Sequence, residues 1–179
     1  MIGSEAEFER LPDDGLWEVV DGRAILLPAN DNEHQDLSDE LVGMFRQQFK
    51  VLKRGCALST PNVSIPRRRE SYSEFQNRVP DIAVSKHKQK RRFQVGEPPE
   101  LVVEILSTRR GNVERTEKLD DYALAGIAEY WIVNPFDRLV EIYVLRGEEY
   151  VLQRTASTET ISPEAFPGIA IDLSLLWTA

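Results

Sequence analysis

"LVVEILSTRR", residues 101–110, decides the fold. Leu101, Val102, Val103, Ile105 and Leu106 make an apolar run of the length and composition of a strand buried on both faces. Glu104 interrupts it. An ionised carboxylate taken out of water costs on the order of several kcal/mol unless it is paired, protonated or bound to a metal ion. Which of these holds Glu104 decides what the site can do.

The neighbouring segments place this strand in a sheet. Asn112 can cap a helix through about Ala125, with Gly126 at its C-terminus. "AEYWIVNP" (128–135) reads as a second buried strand, so the helix is a crossover within an α+β (α/β) arrangement. "VPDIAVS" (79–85) is a short strand with Pro80 allowed at its start, whereas the polar residues 66–78 read as a mobile loop. "CALSTPNVSI" (56–65) reads as a strand interrupted by Pro61. Residues 34–53 carry Leu37, Leu41, Met44, Phe45, Phe49 and Leu52 at helical spacing. Two hairpins are expected, one in "LWEVVDGRAILL" (16–27) around Asp21-Gly22 and one in 139–155 around Arg146-Gly147. "FPGIAIDLSLLW" (166–177) reads as a closing strand and short helix. The expected architecture is a mixed central sheet flanked by helices, and the length of 179 residues fits one domain, 1–179.

Composition narrows the classes. The 41% hydrophobic and 29% charged content is that of a globular chain, and no apolar run reaches the ~20 residues of a bilayer span. "MIGSEAEFER" lacks the cationic and apolar regions of a signal peptide, and one cysteine, Cys56, excludes an intrachain disulfide; both fit a cytoplasmic location. Two histidines and one cysteine argue against a structural zinc site. The net charge of −8 argues against non-specific coating of nucleic acid. The positive charge is clumped, however, in "RRR" (67–69) and "KHKQKRR" (86–92), on either side of Asp81.

Asp81 opens one strand, Glu104 lies in the next, and Lys118 follows in the helix. Two carboxylates from neighbouring strands suit a hard divalent cation, which takes oxygen ligands and, for Mg²⁺, keeps several waters. The Ile105 carbonyl could add a ligand. A lysine beside the cation can orient a water nucleophile and offset charge building on a phosphoryl oxygen. Lys118 shares a stripe with Tyr122 and Ala125, which suggests an inward face.

"PD" at 80–81, "ELVVEILS" at 100–107, Lys118 and "YALAGIAEYWIVNP" at 122–135 together resemble the PD-(D/E)XK nuclease superfamily, closest to its bacterial restriction endonuclease-like branch. "LWEVVDGRAILLP", His34 ahead of the long helix and "FPGIAIDLSLLW" extend the likeness over almost the whole chain. The resemblance implies a restriction-endonuclease-like core and Mg²⁺-dependent (Mn²⁺ as substitute) endonuclease hydrolysis of nucleic acid, with DNA the expected substrate and homodimers common. It implies Asp81 and Glu104 as metal ligands, Lys118 as the catalytic lysine, and Glu18 and His34 as additional positions. Leu106 stands where the superfamily usually has its lysine, the branch placing it in the helix instead. "LSTRRGNVE" lacks the branch's usual Ser-Pro step and has Glu114 where aspartate is usual.

Arg67, Arg68, Lys88, Lys90, Arg109 and Arg110 are the expected phosphate contacts. Two other readings stay open. The chain could be a catalytically inactive nuclease fold that holds nucleic acid without cutting it. It could equally be a structural protein in which Glu104 and Lys118 form only a buried ion pair.

Overall fold

The computed structural model describes residues 1–67, 73–87, 92–107 and 112–178, with 112–116 and 178 described by backbone alone. In chain order the elements are α1 (Glu5–Phe8), β1 (Trp17–Val20), β2 (Arg23–Leu26), α2 (Asn32–Leu52), β3 (Cys56–Ser59), β4 (Asn62–Ile65), β5 (Gln76–Arg78), β6 (Ile82–Ser85), β7 (Arg92–Phe93), β8 (Leu101–Ile105), α3 (Asn112–Leu124), β9 (Glu129–Asn134), β10 (Leu139–Arg146), β11 (Glu149–Ala156), β12 (Thr160–Ile161) and β13 (Ile171–Asp172), followed by a 3₁₀ turn at Leu176–Thr178. They build a six-stranded sheet in the order β11-β10-β9-β8-β6-β3, a five-stranded sheet in the order β2-β1-β5-β4-β7, and the small β12-β13 pair. Both larger sheets are mixed: β8 and β9 run parallel in the first, β4 and β7 in the second.

Every residue of β8 is buried, as its apolar run requires. Side chains alternate across a strand, so its residues divide between two cores. Leu101, Val103 and Ile105 face α2, packing with Leu41, Phe45, Phe49 and Trp131. Val102 faces the other way, toward Tyr122, Ile127, Tyr130 and Ile132, and toward Val63, Ile65 and Phe93 of the five-stranded sheet. Glu104 has the parity of Val102. It therefore enters the layer that contains α3 and the second sheet, where little of it meets solvent.

The long helix follows its apolar spacing. Asp31 caps α2 by accepting from the His34 backbone N–H, and Lys53, left-handed at φ 53°, closes it. Leu37, Leu41, Phe45 and Phe49 form its buried stripe, each large side chain contributing about 1.5–3 kcal/mol of burial. The first hairpin turns at Asp21 (φ 48°) and Gly22 (φ 75°), both left-handed, the combination whose twist matches the flanking strands.

Two expectations are corrected. Within 66–78, Gln76–Arg78 is a fully buried strand in the middle of the five-stranded sheet, not part of a mobile loop. Its polarity disguised it. Arg78 is held by carboxylates, and the Asn77 amide donates to Asn62 Oδ1 at 2.8 Å, so these two polar side chains find partners inside. "CALSTPNVSI" is also two strands, not one. The chain turns at Thr60 (φ 45°), sending β3 into the six-stranded sheet and β4 into the five-stranded one. In addition, the basic run 86–92 ends in β7, where Phe93 is fully buried and Arg92 pairs with Glu5 and Glu9 beside α1.

Candidate active site

Glu104 has two donors. Lys118 Nζ donates to its Oε2 at 3.0 Å and the Tyr122 hydroxyl to its Oε1 at 2.5 Å. Lys118 and Tyr122 lie one turn apart on α3, so one helical face delivers both. Glu18, which could have faced solvent from its hairpin, is instead 2% exposed and places Oε1 3.7 Å from Lys118 Nζ. Lys118 thus sits between Glu18 and Glu104, itself buried.

Burial pushes Glu104 up to about 7; Lys118 opposes the rise, Asp81 and Glu18 add to it, and the Tyr122 hydrogen bond works against it. Burial alone would lower Lys118, but the charges of Glu104 and Glu18 more than offset this and its pKa is raised. The ammonium therefore stays charged while the carboxylate lies near its titration point at neutral pH.

Arg78 and Asp121 belong to the same cluster, and nothing in the sequence motif named them. Arg78 Nη1 donates to Glu18 Oε2 at 2.8 Å, and its Nε donates to Asp121 Oδ2 at 2.7 Å. The Val79 backbone N–H donates to Glu18 Oε1 at 3.1 Å. One buried guanidinium thus ties β1 to α3, three residues beyond Lys118. The available signal was the position of Arg78 just ahead of "VPD", in a stretch whose polarity read as loop.

Asp81 approaches from the end of β6. Its Oδ2 accepts from the Ile105 backbone N–H at 2.7 Å and lies 3.2 Å from His34 Nε2. The Ile105 carbonyl oxygen is also 3.2 Å from His34 Nε2. Both neighbours are acceptors, so the ring proton belongs on Nε2. Burial would lower the His34 pKa, but Asp81, the Ile105 carbonyl and Asp31 outweigh it and raise it.

Of the expected phosphate contacts, Arg68, Lys88, Lys90, Arg109 and Arg110 lie outside the described residues. Arg67 is exposed and pairs with Glu74 at 3.4 Å, without contact to the carboxylate cluster among the described residues.

The donor set suits a hard cation. The Asp81 carboxylate and the Ile105 carbonyl point at one place, now marked by His34 Nε2, and Asp81 is close enough to Glu104 to help raise the pKa of that carboxyl. Among the described residues no three His, Cys, Asp or Glu side chains stand close enough to enclose a metal. Two carboxylates, a carbonyl and water are what Mg²⁺ accepts.

Two outcomes are expected here. Tyr122→Phe removes a buried donor from Glu104 and should cost about 1–3 kcal/mol in urea unfolding. Glu104 also imposes a pH dependence. Its folded pKa, about 7 against 4.5, is raised, so its stabilisation is complete below 4.5 and lost as pH rises through about 7. That loss is on the order of 3 kcal/mol at ~1.4 kcal/mol per pH unit. Metal-free wild type should therefore lose stability relative to Glu104→Gln between pH 4.5 and 8, whereas parallel profiles would contradict the assigned burial of charge.

A family model described as "Uma2: Putative restriction endonuclease" matches residues 5–174. The chain belongs to this Uma2 family. The match takes in the hairpin, α2, both carboxylate strands and α3. Among solved structures, the chain is similar to a protein described as a putative nuclease belonging to DUF820 from Anabaena variabilis ATCC 29413. The similarity has a TM-score of 0.74 and 18% sequence identity, covering 97% of this chain and 96% of that one. At that identity the likeness establishes the fold, which is restriction-endonuclease-like, as the sequence motifs imply. No curated protein matches the chain.

Proposed function

We propose that this Uma2 chain is a divalent-metal-dependent endonuclease that hydrolyses phosphodiester bonds in DNA, with Asp81 and Glu104 as metal ligands and Lys118 as the catalytic lysine. The observation that carries the reading is the placement of Lys118 between two buried carboxylates, 3.0 Å from Glu104, on the helix that follows the glutamate strand. A bound Mg²⁺ would supply Lewis acidity at the phosphoryl group. The Asp81 and Glu104 carboxylates would hold it, with the Ile105 carbonyl beside them. The Lys118 ammonium, kept charged by its neighbours, would orient the attacking water and oppose negative charge developing on a non-bridging oxygen. Glu18, fixed by Arg78 and the Val79 N–H, would keep that ammonium in place.

The test is incubation of supercoiled plasmid and linear duplex with Mg²⁺, with Mn²⁺ and with chelator. Metal-dependent nicking that is lost in Glu104→Gln supports the reading. An intact substrate with either metal counts against it and favours a nuclease fold that does not cut. One observation favours that alternative: both Glu104 oxygens already have donors within the protein.

A further inference from the structure

The C-terminal half of α2 carries a charge pattern that the carboxylate site does not use. Within a chain of net charge −8, residues 41–69 contain no aspartate or glutamate. Before them, the first turns of α2 hold Glu33, Asp36, Asp39 and Glu40; after them come Arg46, Lys50, Lys53 and Arg54. These four cations line one groove of about 630 Å³ between the end of α2 and the edge strand β3, floored by Phe49, Gly55 and Ala57. All four are exposed and none forms an ion pair among the described residues.

The helix dipole favours cations at a C-terminus by about 0.3–1 kcal/mol, which accounts for Lys50 and Lys53 standing where they do. It does not account for Arg46, whose Nε leaves the helix to donate to the Ala57 carbonyl at 3.1 Å, on the edge strand. Nor does it account for Lys86, which arrives from another strand. β3 pairs with β6 so that Cys56 faces Ser85, and Cys56 Sγ contacts the His87 carbonyl at 3.1 Å. Lys86 sits over the Phe166 ring, and Phe166 also packs edge-on against Phe49 at the groove floor. The patch is thus assembled from two segments distant in sequence.

Its position relative to the carboxylates is fixed by β3. Cys56 lies at the groove; at the other end of the strand the Thr60 N–H donates to the Asp81 carbonyl at 2.8 Å. Four residues of extended chain span ~13 Å. Along one DNA strand that is about four phosphate steps at ~3.4 Å of rise each.

We infer that the groove formed by Arg46, Lys50, Lys53 and Arg54 binds the phosphate backbone of duplex DNA flanking the bond presented to Asp81 and Glu104. The inference rests on the nuclease reading above. The groove contributes affinity and register without reading bases, because its charged groups are cations suited to phosphate and its floor is apolar.

The test is anisotropy of the full chain with a labelled DNA duplex of about two helical turns, without divalent metal, from roughly 50 to 200 mM salt. Each phosphate that a variant no longer neutralises reduces the slope of log K against log salt by about 0.9. Lys50→Gln/Lys53→Gln, which removes no hydrogen bond found within the described residues, should lower the slope by about two, and the fourfold glutamine variant by about three to four. Unchanged slope and affinity in both variants would overturn the groove. If those variants instead abolish self-association, the groove belongs to a second copy, and tighter binding of duplex RNA than of DNA would overturn the choice of partner. Plasmid cleavage separates the two readings: metal-dependent nicking alongside groove-independent binding sinks the groove alone, whereas a wild type that neither binds nor cuts duplex DNA removes both.

Discussion

Arg78→Met is expected to destabilise the protein by about 3–5 kcal/mol, the cost of taking the guanidinium away from two buried carboxylates. The side chain of Arg78 is 5% exposed, and its partners Glu18 and Asp121 are 3% and 1% exposed. None of the three can recover hydration when one is removed. Burial works against the guanidinium charge, but Glu18 and Asp121 outweigh it and raise its pKa, so the arginine is charged at every accessible pH. Methionine fills much of the volume and supplies no donor. Arg78→Lys should recover part of the loss, since an ammonium keeps the charge but lacks the fork that reaches two carboxylates from different elements. Urea unfolding of the three proteins at neutral pH measures this. A loss below about 1 kcal/mol for Arg78→Met would mean the carboxylates rehydrate or take up protons at little cost.

The second large effect concerns chemistry rather than stability. If the cluster cleaves DNA, Lys118→Met should lower the single-turnover cleavage rate by about 10²–10³, the usual loss on removing one preorganised electrostatic stabiliser. Divalent-metal affinity should hold or improve, because the ammonium 3.0 Å from Glu104 opposes a cation at that carboxylate. Stability should change less than in Arg78→Met, since burial already raises Glu104 to about 7 and it can take a proton once its cation is gone. A rate that falls together with metal affinity would instead make Lys118 a support for the carboxylate.

Much of this arrangement was legible in the sequence, and the failures are instructive. β8 was readable because residues 101–106 are apolar apart from one carboxylate, and that exception pointed to the site. The helix stripe of Lys118 and Tyr122 predicted an inward face, and both residues are buried. The Tyr122 hydroxyl contact to Glu104 depends on the register between α3 and β8, which sequence spacing does not give. β5 was missed for the opposite reason. Gln76, Asn77 and Arg78 carry no apolar alternation, and Asn77 and Arg78 are buried where partners arrive from β1, β4 and α3. Hydrophobic periodicity detects strands that bury apolar groups and misses those that bury satisfied polar ones. Glu18 illustrates the same limit, since on a two-stranded ribbon its outward and inward readings stand even until the second sheet and Lys118 are set against it.

Asp81 and Glu104 are proposed to form a metal site, and calorimetric titration of Mg²⁺ and Mn²⁺ into wild type and Glu104→Gln, with folding checked by circular dichroism, tests it most directly. The expected result is binding to wild type that weakens as pH falls below about 7, where Glu104 takes up its proton, and is lost in the folded variant. Equal binding by wild type and Glu104→Gln, or none to wild type even with Mn²⁺ and duplex DNA present, would contradict it and leave Glu104 and Lys118 as a buried ion pair.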